Sequence, residues 1–103
     1  MPNLRKAARG KRRWVGVEID LDNIDESGLF GQLTPESGKP RLAWTSNDGS
    51  FLILEVRLEN HRKLIDSIEC IDHAKPITSS GKIRLVKARI SRLYNLRESE
   101  ETL

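Results

Sequence analysis

The stretch RLAWTSNDGSFLILEVRL, residues 41–58, predicts a β-hairpin around which the other elements can be arranged. Two apolar runs, at 41–45 and 51–58, flank Asn47-Asp48-Gly49, and a polar turn with glycine joins antiparallel strands. Successive side chains of a strand point to opposite faces. We expect the second strand to direct one set of residues into the core: Leu52, Leu54, Val56 and Leu58. The opposite face then carries Phe51, Ile53, Glu55 and Arg57.

An alternating segment precedes the hairpin, and an amphipathic helix follows it. Residues 13–20 contain the pattern Trp-Val-Gly-Val-Glu-Ile, which predicts a first strand. Asn60 is a favourable N-cap residue, and a helix of about eleven residues is expected after it. The apolar stripe of this helix repeats at helical spacing through Leu64, Ile65, Ile68 and Ile71.

The remaining connections have weaker local signals. Asp22 and Asn23 are both candidate N-caps for residues 22–33, but Gly28 and Gly31 each disfavour a helix by roughly 1 kcal/mol. We therefore expect an irregular loop with one or two helical turns there. The sequence leaves open whether the acidic segment 20–36 folds by itself or on a partner. Residues 72–81 contain proline, serines and a glycine, and we expect a loop.

The segment GKIRLVKARISRL, residues 81–93, fits either a strand or a helix. As a strand it needs a β-bulge between Leu85 and Val86, which would place four apolar residues on the core face: Ile83, Leu85, Ala88 and Ile90. As a helix it has a different apolar stripe: Ile83, Val86, Ile90 and Leu93. The β-branched content and the resulting count of four strands favour the strand.

These elements predict an α+β fold, a ferredoxin-like or split-βαβ sandwich. Four antiparallel strands form one sheet, and one clear helix with a shortened first helix covers one face. The second face is expected to be open to solvent or to a partner. We expect a flexible basic arm at residues 1–12, a single domain at 13–93 and a charged C-terminal tail at 94–103.

The composition limits the chain to one domain with a thin core. Its 103 residues are 37% apolar and 32% charged, which is too little for a core with a deep catalytic cleft. No apolar run is long enough to cross a bilayer, and the basic N-terminus lacks the apolar part of a secretory signal. Cys70 is the single cysteine, so no internal disulfide forms and a reducing, cytoplasmic location is expected.

The polar residues do not form a catalytic pattern. His61 and His73 are the two histidines, and we interpret both as surface or loop residues. Cys70 lies beside the apolar stripe and is interpreted as a small, half-buried residue. Asp20, Asp22 and Asp25 lack a histidine, a nucleophile or a phosphate-binding glycine loop around them. We expect no cofactor, no metal ion, no catalytic residue and no enzymatic activity of the isolated protein.

Two basic blocks are the strongest functional signal. Six cations and no acid lie in residues 1–13, and six more lie without an acid in 81–97; between them, residues 14–36 hold six acids and no base. Such blocks neutralise phosphates and predict RNA binding without base-specific contacts. The expected phosphate contacts are Arg12, Arg13, Lys82, Arg84, Lys87, Arg89 and Arg92. The alternative is a protein-interaction or assembly module of the same fold that does not bind RNA directly.

The order of these features resembles the archaeal RNase P protein component 2 family, a small subunit also shared with eukaryotic RNase P and MRP. The likeness begins with a basic leader that enters the strand RRWVGVEI at 12–19. It continues with the strand entry Lys-Pro-Arg-Leu at 39–42, the Asp-Gly turn at 48–49 and the segment Gly-Lys-Ile at 81–83. The chain departs from the family in its short connection, residues 21–38, where the family has a long helical insertion.

The resemblance implies a role without chemistry for this protein. It implies that RNA performs the phosphodiester hydrolysis that matures the 5′ end of transfer RNA, while the protein braces the catalytic RNA. It also implies a protein partner, the TIM-barrel subunit of RNase P. The lack of a long apolar run predicts no membrane partner.

Overall fold

The computed structural model describes the backbone of residues 11–101 and the side chains of residues 11–35 and 37–95. Four strands are present in this part of the chain: β1 (Arg12–Ile19), β2 (Arg41–Thr45), β3 (Phe51–Arg57) and β4 (Ala74–Ser80). Three α-helices accompany them: α1 (Glu26–Gln32), α2 (His61–Glu69) and α3 (Ile83–Glu101). Short 3-10 helices span Pro35–Ser37 and Leu58–Asn60. Most of the predicted basic arm, residues 1–10, lies outside the described residues.

The four strands form one antiparallel sheet in the order β2-β3-β1-β4. This order and the βαββαβ sequence of elements confirm the predicted α+β, ferredoxin-like fold. The two edge strands, β2 and β4, both contain a register shift, and β4 also contains Pro76. Bulges and proline at sheet edges discourage pairing with another chain.

The predicted hairpin is present with its expected turn. Gly49 has a φ of 82°, a conformation that glycine adopts without steric cost. The Asp48 carboxylate accepts hydrogen bonds from the Ser46 hydroxyl at 2.8 Å and from the Ser50 N–H at 3.0 Å. These bonds satisfy polar groups that the turn would otherwise leave unpaired, so the turn holds the register of β2 and β3.

The first face of the sheet packs against α1 and α2. Alternate residues of the two central strands are buried there: Val15, Val17 and Ile19 of β1, with Leu52, Leu54 and Val56 of β3. Leu64 and Ile68 of α2 are fully buried against them, and Leu29 is the buried residue of α1. The core positions Leu52, Leu54 and Val56 of β3 and the apolar stripe of α2 are therefore confirmed. Leu58, the fourth predicted core residue, is wrong: β3 ends at Arg57, and Leu58 begins a 3-10 helix and is 40% exposed.

The acidic connection contains the short helix that the sequence predicted, but with a different cap. Asp25 is the N-cap of α1, and its carboxylate accepts a hydrogen bond from the Gly28 N–H at 2.7 Å. The choice of Asp22 or Asn23 as the cap was wrong. Those residues belong to a preceding turn, in which the Asp20 carboxylate accepts from the Asp22 N–H and the Asn23 amide. Helix α1 begins after Asp25 because the Asp25 carboxylate can there accept hydrogen bonds from the free N–H groups of the first turn.

The C-terminal third differs from the strand interpretation. The predicted loop at 72–81 contains β4, and the predicted strand at 81–93 is the first part of α3. Residues 83–101 contain neither glycine nor proline and are rich in leucine, arginine and glutamate, which favour helix. The polar β4 forms because β1 offers it an unpaired edge, a condition that local sequence does not reveal. The boundary predicted between residues 93 and 94 falls inside α3.

Helix α3 covers the second face of the sheet, which the sequence predicted to be open. Val86 and Ile90 of α3 are buried against Phe51 and Ile53 of β3. The helical stripe at 83, 86 and 90 is therefore the correct one, but Leu93 is 39% exposed and Tyr94 packs in its place. The molecule has three layers, with the sheet between α1 and α2 on one side and α3 on the other.

Two smaller predictions about side chains also changed. Cys70 is exposed rather than half-buried, because α2 ends one residue before it and turns it away from the core. Asn60 occupies the N-cap position of α2, but its side chain makes no capping hydrogen bond. The 3-10 turn at Leu58–Asn60 precedes α2 directly, and the His61 N–H bonds to the Leu58 carbonyl within it.

The contact between β1 and α3 is close because Gly16 has no side chain. A Cβ atom at Gly16 would lie 3.0 Å from Cγ2 of Thr78 and 3.1 Å from side-chain carbons of Val86 and Ile90. We expect Gly16→Ala to lower the free energy of unfolding by about 1–3 kcal/mol, as overpacking of a filled core does. Urea denaturation monitored by circular dichroism measures this change.

Gly31→Ala is the matched control for that variant. A Cβ atom at Gly31 in α1 meets no atom within 4 Å. This control is expected to raise the free energy of unfolding by roughly 0.5–1 kcal/mol, since alanine favours helix over glycine. Equal stability of Gly16→Ala and the wild type would show that α3 does not pack on Gly16 as described.

Candidate functional site

The antiparallel sheet collects nine of the chain's 18 lysines and arginines at one end of the molecule. Arg12 pairs with Arg57, Arg41 with Glu55 and Trp14 with Ser80, so β1 and β2 begin where β3 and β4 end. The segments that leave or enter the sheet at this basic end carry Lys11, Arg12, Arg13, Lys39, Arg41, Arg57, Arg62, Lys82 and Arg84. Residues far apart in sequence are thereby brought to a single surface.

The opposite, acidic end carries the carboxylates that follow β1, precede β4 and lie in the hairpin turn: Asp20, Asp22, Asp25, Glu26, Asp48 and Asp72. Hydrogen bonds from Asn23 and from the Asp22 N–H lower the pKa of Asp20, which keeps it ionised. A pocket of about 590 Å³ lies among these residues and also contains His73 and Lys75. Among the described residues, no three His, Cys, Asp or Glu side chains lie together as a metal site would need.

A cleft of about 430 Å³ lies within the basic end, and we call it the basic cleft. Four cationic side chains line it, together with Glu55, Val56 and Asn60: Arg12, Lys39, Arg41 and Arg57. Arg41 and Arg57 are largely exposed, with 72% and 61% of their side chains accessible. Four positive charges around one carboxylate make this cleft a site of attraction for anions.

Glu55 organises the cations of the basic cleft. Its Oε1 lies 3.0 Å from Nη1 of Arg12 and 3.2 Å from Nη2 of Arg41, and only 12% of its side chain is exposed. A guanidinium has five N–H donors, so each arginine keeps further donors for an external anion. Arg12, Glu55 and Arg57 extend from the same face of the sheet as α3, because they alternate with the residues buried under α1 and α2.

The predicted phosphate contacts at the start of the chain lie on opposite faces of β1. Arg12 lines the basic cleft. Arg13 points to the other face, where its Nη1 would lie 3.0 Å from a Cβ placed at Gly81, and where its charge acts on His61. Alternation along the strand separates the two arginines, so only Arg12 contributes to the cleft.

The predicted contacts in the last segment are spread around α3 and do not share one sheet face. Arg84 and Lys87 lie on one side of the helix, and Arg92 lies on another, since residues three or four apart share a helical face. Arg89 is turned toward β4, where it donates hydrogen bonds to the Thr78 hydroxyl at 2.9 Å and the Ser79 carbonyl at 3.1 Å. Lys82 precedes α3 and is exposed at the basic end. The prediction that a bulged strand places these cations on a single face is wrong, because the segment is a helix.

Sequence reasoning missed three cations of the basic cleft: Lys39, Arg41 and Arg57. Arg41 and Arg57 lie at ends of the hairpin strands, whose limits the sequence predicted within one residue, and Lys39 lies two residues before β2. The pairing of Arg41 with Glu55 follows from that hairpin, and it places Lys39 and Arg57 at the same edge. The missed signal was therefore the strand pairing rather than the local charge density.

Comparison with models of known protein families gives no match, and no curated protein is significantly similar in sequence. No helix within residues 11–101 has the length and apolar character needed to cross a bilayer.

His61 at the start of α2 gives the basic end a pH-dependent stability. Its Nε2 is buried without a hydrogen-bond partner among the described residues. Burial lowers the pKa of His61, and the charges of Arg13 and Arg62 lower it further. In the unfolded chain His61 binds a proton near the ordinary histidine pKa of about 6.5. In the folded protein it binds that proton only at a lower pH. We expect the free energy of unfolding to fall as the pH drops through this value.

Denaturation by urea at a series of pH values from neutral to mildly acidic measures this effect. The variant His61→Gln removes the titrating group and should flatten this part of the profile, while His73→Asn keeps it. Parallel profiles for wild type and His61→Gln would contradict the assignment.

Proposed function

We propose that this protein binds structured RNA through the basic cleft and acts as a protein subunit of a ribonucleoprotein. The observation that carries the proposal is the set of four cations that line one open cleft of about 430 Å³, of which Arg12 and Arg41 are held by Glu55 and Arg57 by Glu59. Cations fixed by an internal ion pair lose less conformational entropy on binding phosphate than free side chains do.

The cations outside the cleft favour a polymer over a small anionic ligand. Lys82 and Arg84 lie at the basic end, and Lys87 continues the exposed positive charge one turn along α3. None of these three forms an ion pair with a residue that the structure describes. Neutralising several phosphates of one chain releases counterions, which gives affinity without reading the sequence.

The resemblance in sequence order makes RNase P RNA the first candidate. In this proposal the protein supplies no catalytic residue and braces the RNA that matures the 5′ end of transfer RNA. Its surroundings are cytoplasmic, and its protein partner is a TIM-barrel subunit of the same particle. The short α1 connection offers less surface to a partner than a long helical insertion would, so α3 is the element we assign to that contact.

A second candidate function, protein assembly without RNA, is favoured by the apolar residues exposed on α3. Leu85 is 41% exposed and Leu93 is 39% exposed, and they lie about two turns apart on the stripe of α3 that also carries Arg89. Exposed leucines of this kind suit contact with a partner subunit. Both candidates assign protein contact to α3, and they differ in whether the basic cleft is used.

Neutralising the basic cleft tests RNA binding. We expect the double variant Lys39→Gln/Arg57→Gln to weaken binding of a structured RNA and to reduce the slope of log affinity against log salt by about 0.7–0.9 for each phosphate that the variant no longer neutralises. Lys63→Gln/Lys75→Gln removes the same charge from exposed positions on α2 and at the acidic end. Fluorescence anisotropy over a range of salt measures both. An equally large effect of the control pair would show that only net charge matters.

Recovery of the natural complex tests the identity of the RNA. We expect affinity capture of the tagged full-length protein from its own cells to recover RNase P RNA, identified by sequencing, and a TIM-barrel protein, identified by mass spectrometry. Prior nuclease treatment should reduce the protein recovered, because the RNA bridges part of the complex. Recovery of proteins alone, unaffected by nuclease, would favour the assembly module.

A further inference from the structure

A second, uncharged groove lies between the hairpin turn and the C-terminal half of α3. It has a volume of about 170 Å³, and we call it the aromatic groove. Trp44, Ser46 and Asn47 form one wall, and Ser91, Tyr94 and Asn95 form the other, with Ile90 also in its lining. Neither the charge blocks nor the basic cleft accounts for these residues.

Both aromatic side chains of the groove are positioned by the fold. The register of β2 shifts between Leu42 and Trp44, so Ala43 and Trp44 both pack on the α3 side of the sheet. Tyr94 lies one turn after Ile90, and its ring meets Phe51 edge to face at a centroid distance of 6.1 Å. Each ring is half-buried and leaves part of its surface in the groove.

The polar groups of the groove suit a neutral planar ligand. The Ser46 hydroxyl is engaged with Asp48 and the Phe51 N–H. The side chains of Asn47, Ser91 and Asn95 have no hydrogen-bond partner among the described residues, so they present both donors and acceptors. No charged residue lines the groove within the described chain. Its volume is below the ~300 Å³ typical of sites for whole drug-sized ligands, and it has room for one ring system.

A row of residues on α3 connects the groove to the basic end. Arg84, Lys87, Ser91 and Asn95 follow one another at spacings of three or four residues, so they form one stripe along the helix. Ser91 and Asn95 line the aromatic groove, while Arg84 and Lys87 continue the stripe toward the basic end. A polynucleotide that follows this stripe meets phosphate-binding cations first and then an aromatic surface.

We propose that the aromatic groove binds one unpaired nucleobase of the RNA, stacked on Trp44 or Tyr94, while Arg84 and Lys87 contact the adjoining phosphates. This inference rests on the proposed RNA binding and adds a base subsite to it. Stacking on aromatic side chains tolerates any base and contributes about 1–3 kcal/mol per base. Arg84 and Lys87, on the stripe of α3 that leads to the groove, favour a nucleotide over an aromatic side chain of a protein partner, although the hairpin turn on the other wall belongs to the acidic end.

Comparing the binding of two polyanions distinguishes recognition of a base from recognition of phosphates. One is a short unstructured RNA oligonucleotide, and the other is linear polyphosphate with the same number of phosphates and no bases. We expect Trp44→Leu to weaken binding of the oligonucleotide roughly 5- to 100-fold and to leave polyphosphate binding unchanged. Trp44→Phe keeps a ring and should retain most of the affinity. Circular dichroism and urea denaturation verify that each variant folds.

A fluorescence measurement does not depend on the stability of Trp44 variants. Trp14→Phe leaves Trp44 as the single tryptophan, and Trp14 does not line the groove. We expect the oligonucleotide to quench the remaining emission and polyphosphate to leave it unchanged.

The outcomes distinguish the base subsite from RNA binding itself. If both polyanions bind wild type but Trp44→Leu weakens neither, or both equally, and no selective quenching occurs, the base subsite is wrong and RNA binding stands. If neither polyanion binds wild type, the base subsite is wrong, and the anisotropy titration with structured RNA decides whether RNA binding stands. If Trp44→Leu abolishes only capture of a protein partner, the groove binds a protein side chain instead.

Discussion

Helix α3 can lie on the second face of the sheet because the central strand β1 carries glycine at the point where the two cross. Gly16 is buried under Val86 and Ile90, and a Cβ atom there would approach three side chains within 3.1 Å. The small residue lets Phe51 and Ile53 of β3 share a second core with the helix. The three-layer architecture, and the positions of the described cations on α3, follow from this close approach.

The antiparallel register then converts charge blocks along the chain into charged ends of the molecule. A strand of seven or eight residues spans the sheet, so a basic residue before β1 and an acidic residue after it lie at opposite ends. Glu55 fixes Arg12 and Arg41 where β1, β2 and β3 meet. Cations contributed by several separate segments thus surround one cleft. Glu55, between Arg12 and Arg41, and Glu59, beside Arg57, reduce the repulsion among them.

The elements that were predicted correctly are those with a clear apolar period along the sequence. The hairpin, the core face of β3 and the stripe of α2 all show a period of two or 3.6 residues, and each was confirmed. For the candidate site, the predicted set shared Arg12 with the basic cleft but omitted Lys39, Arg41 and Arg57. Those three come together because β2 pairs with β3. The number of charges along the sequence does not show which strands pair. Trp44 and Tyr94 likewise share a groove only because α3 crosses the end of the hairpin.

The sequence by itself determined the α+β class, the four-stranded ferredoxin-like sheet and the presence of two basic blocks, because apolar periodicity and charge are properties of neighbouring residues. Only the tertiary structure decided which C-terminal segment is the fourth strand. Residues 74–80 have little apolar character and form β4 because β1 supplies a free edge. Residues 83–101 form a helix because Val86 and Ile90 then pack on the second face of the sheet, where Gly16 leaves room for them. These are long-range contacts, and a local pattern that fits both a bulged strand and a helix cannot choose between them.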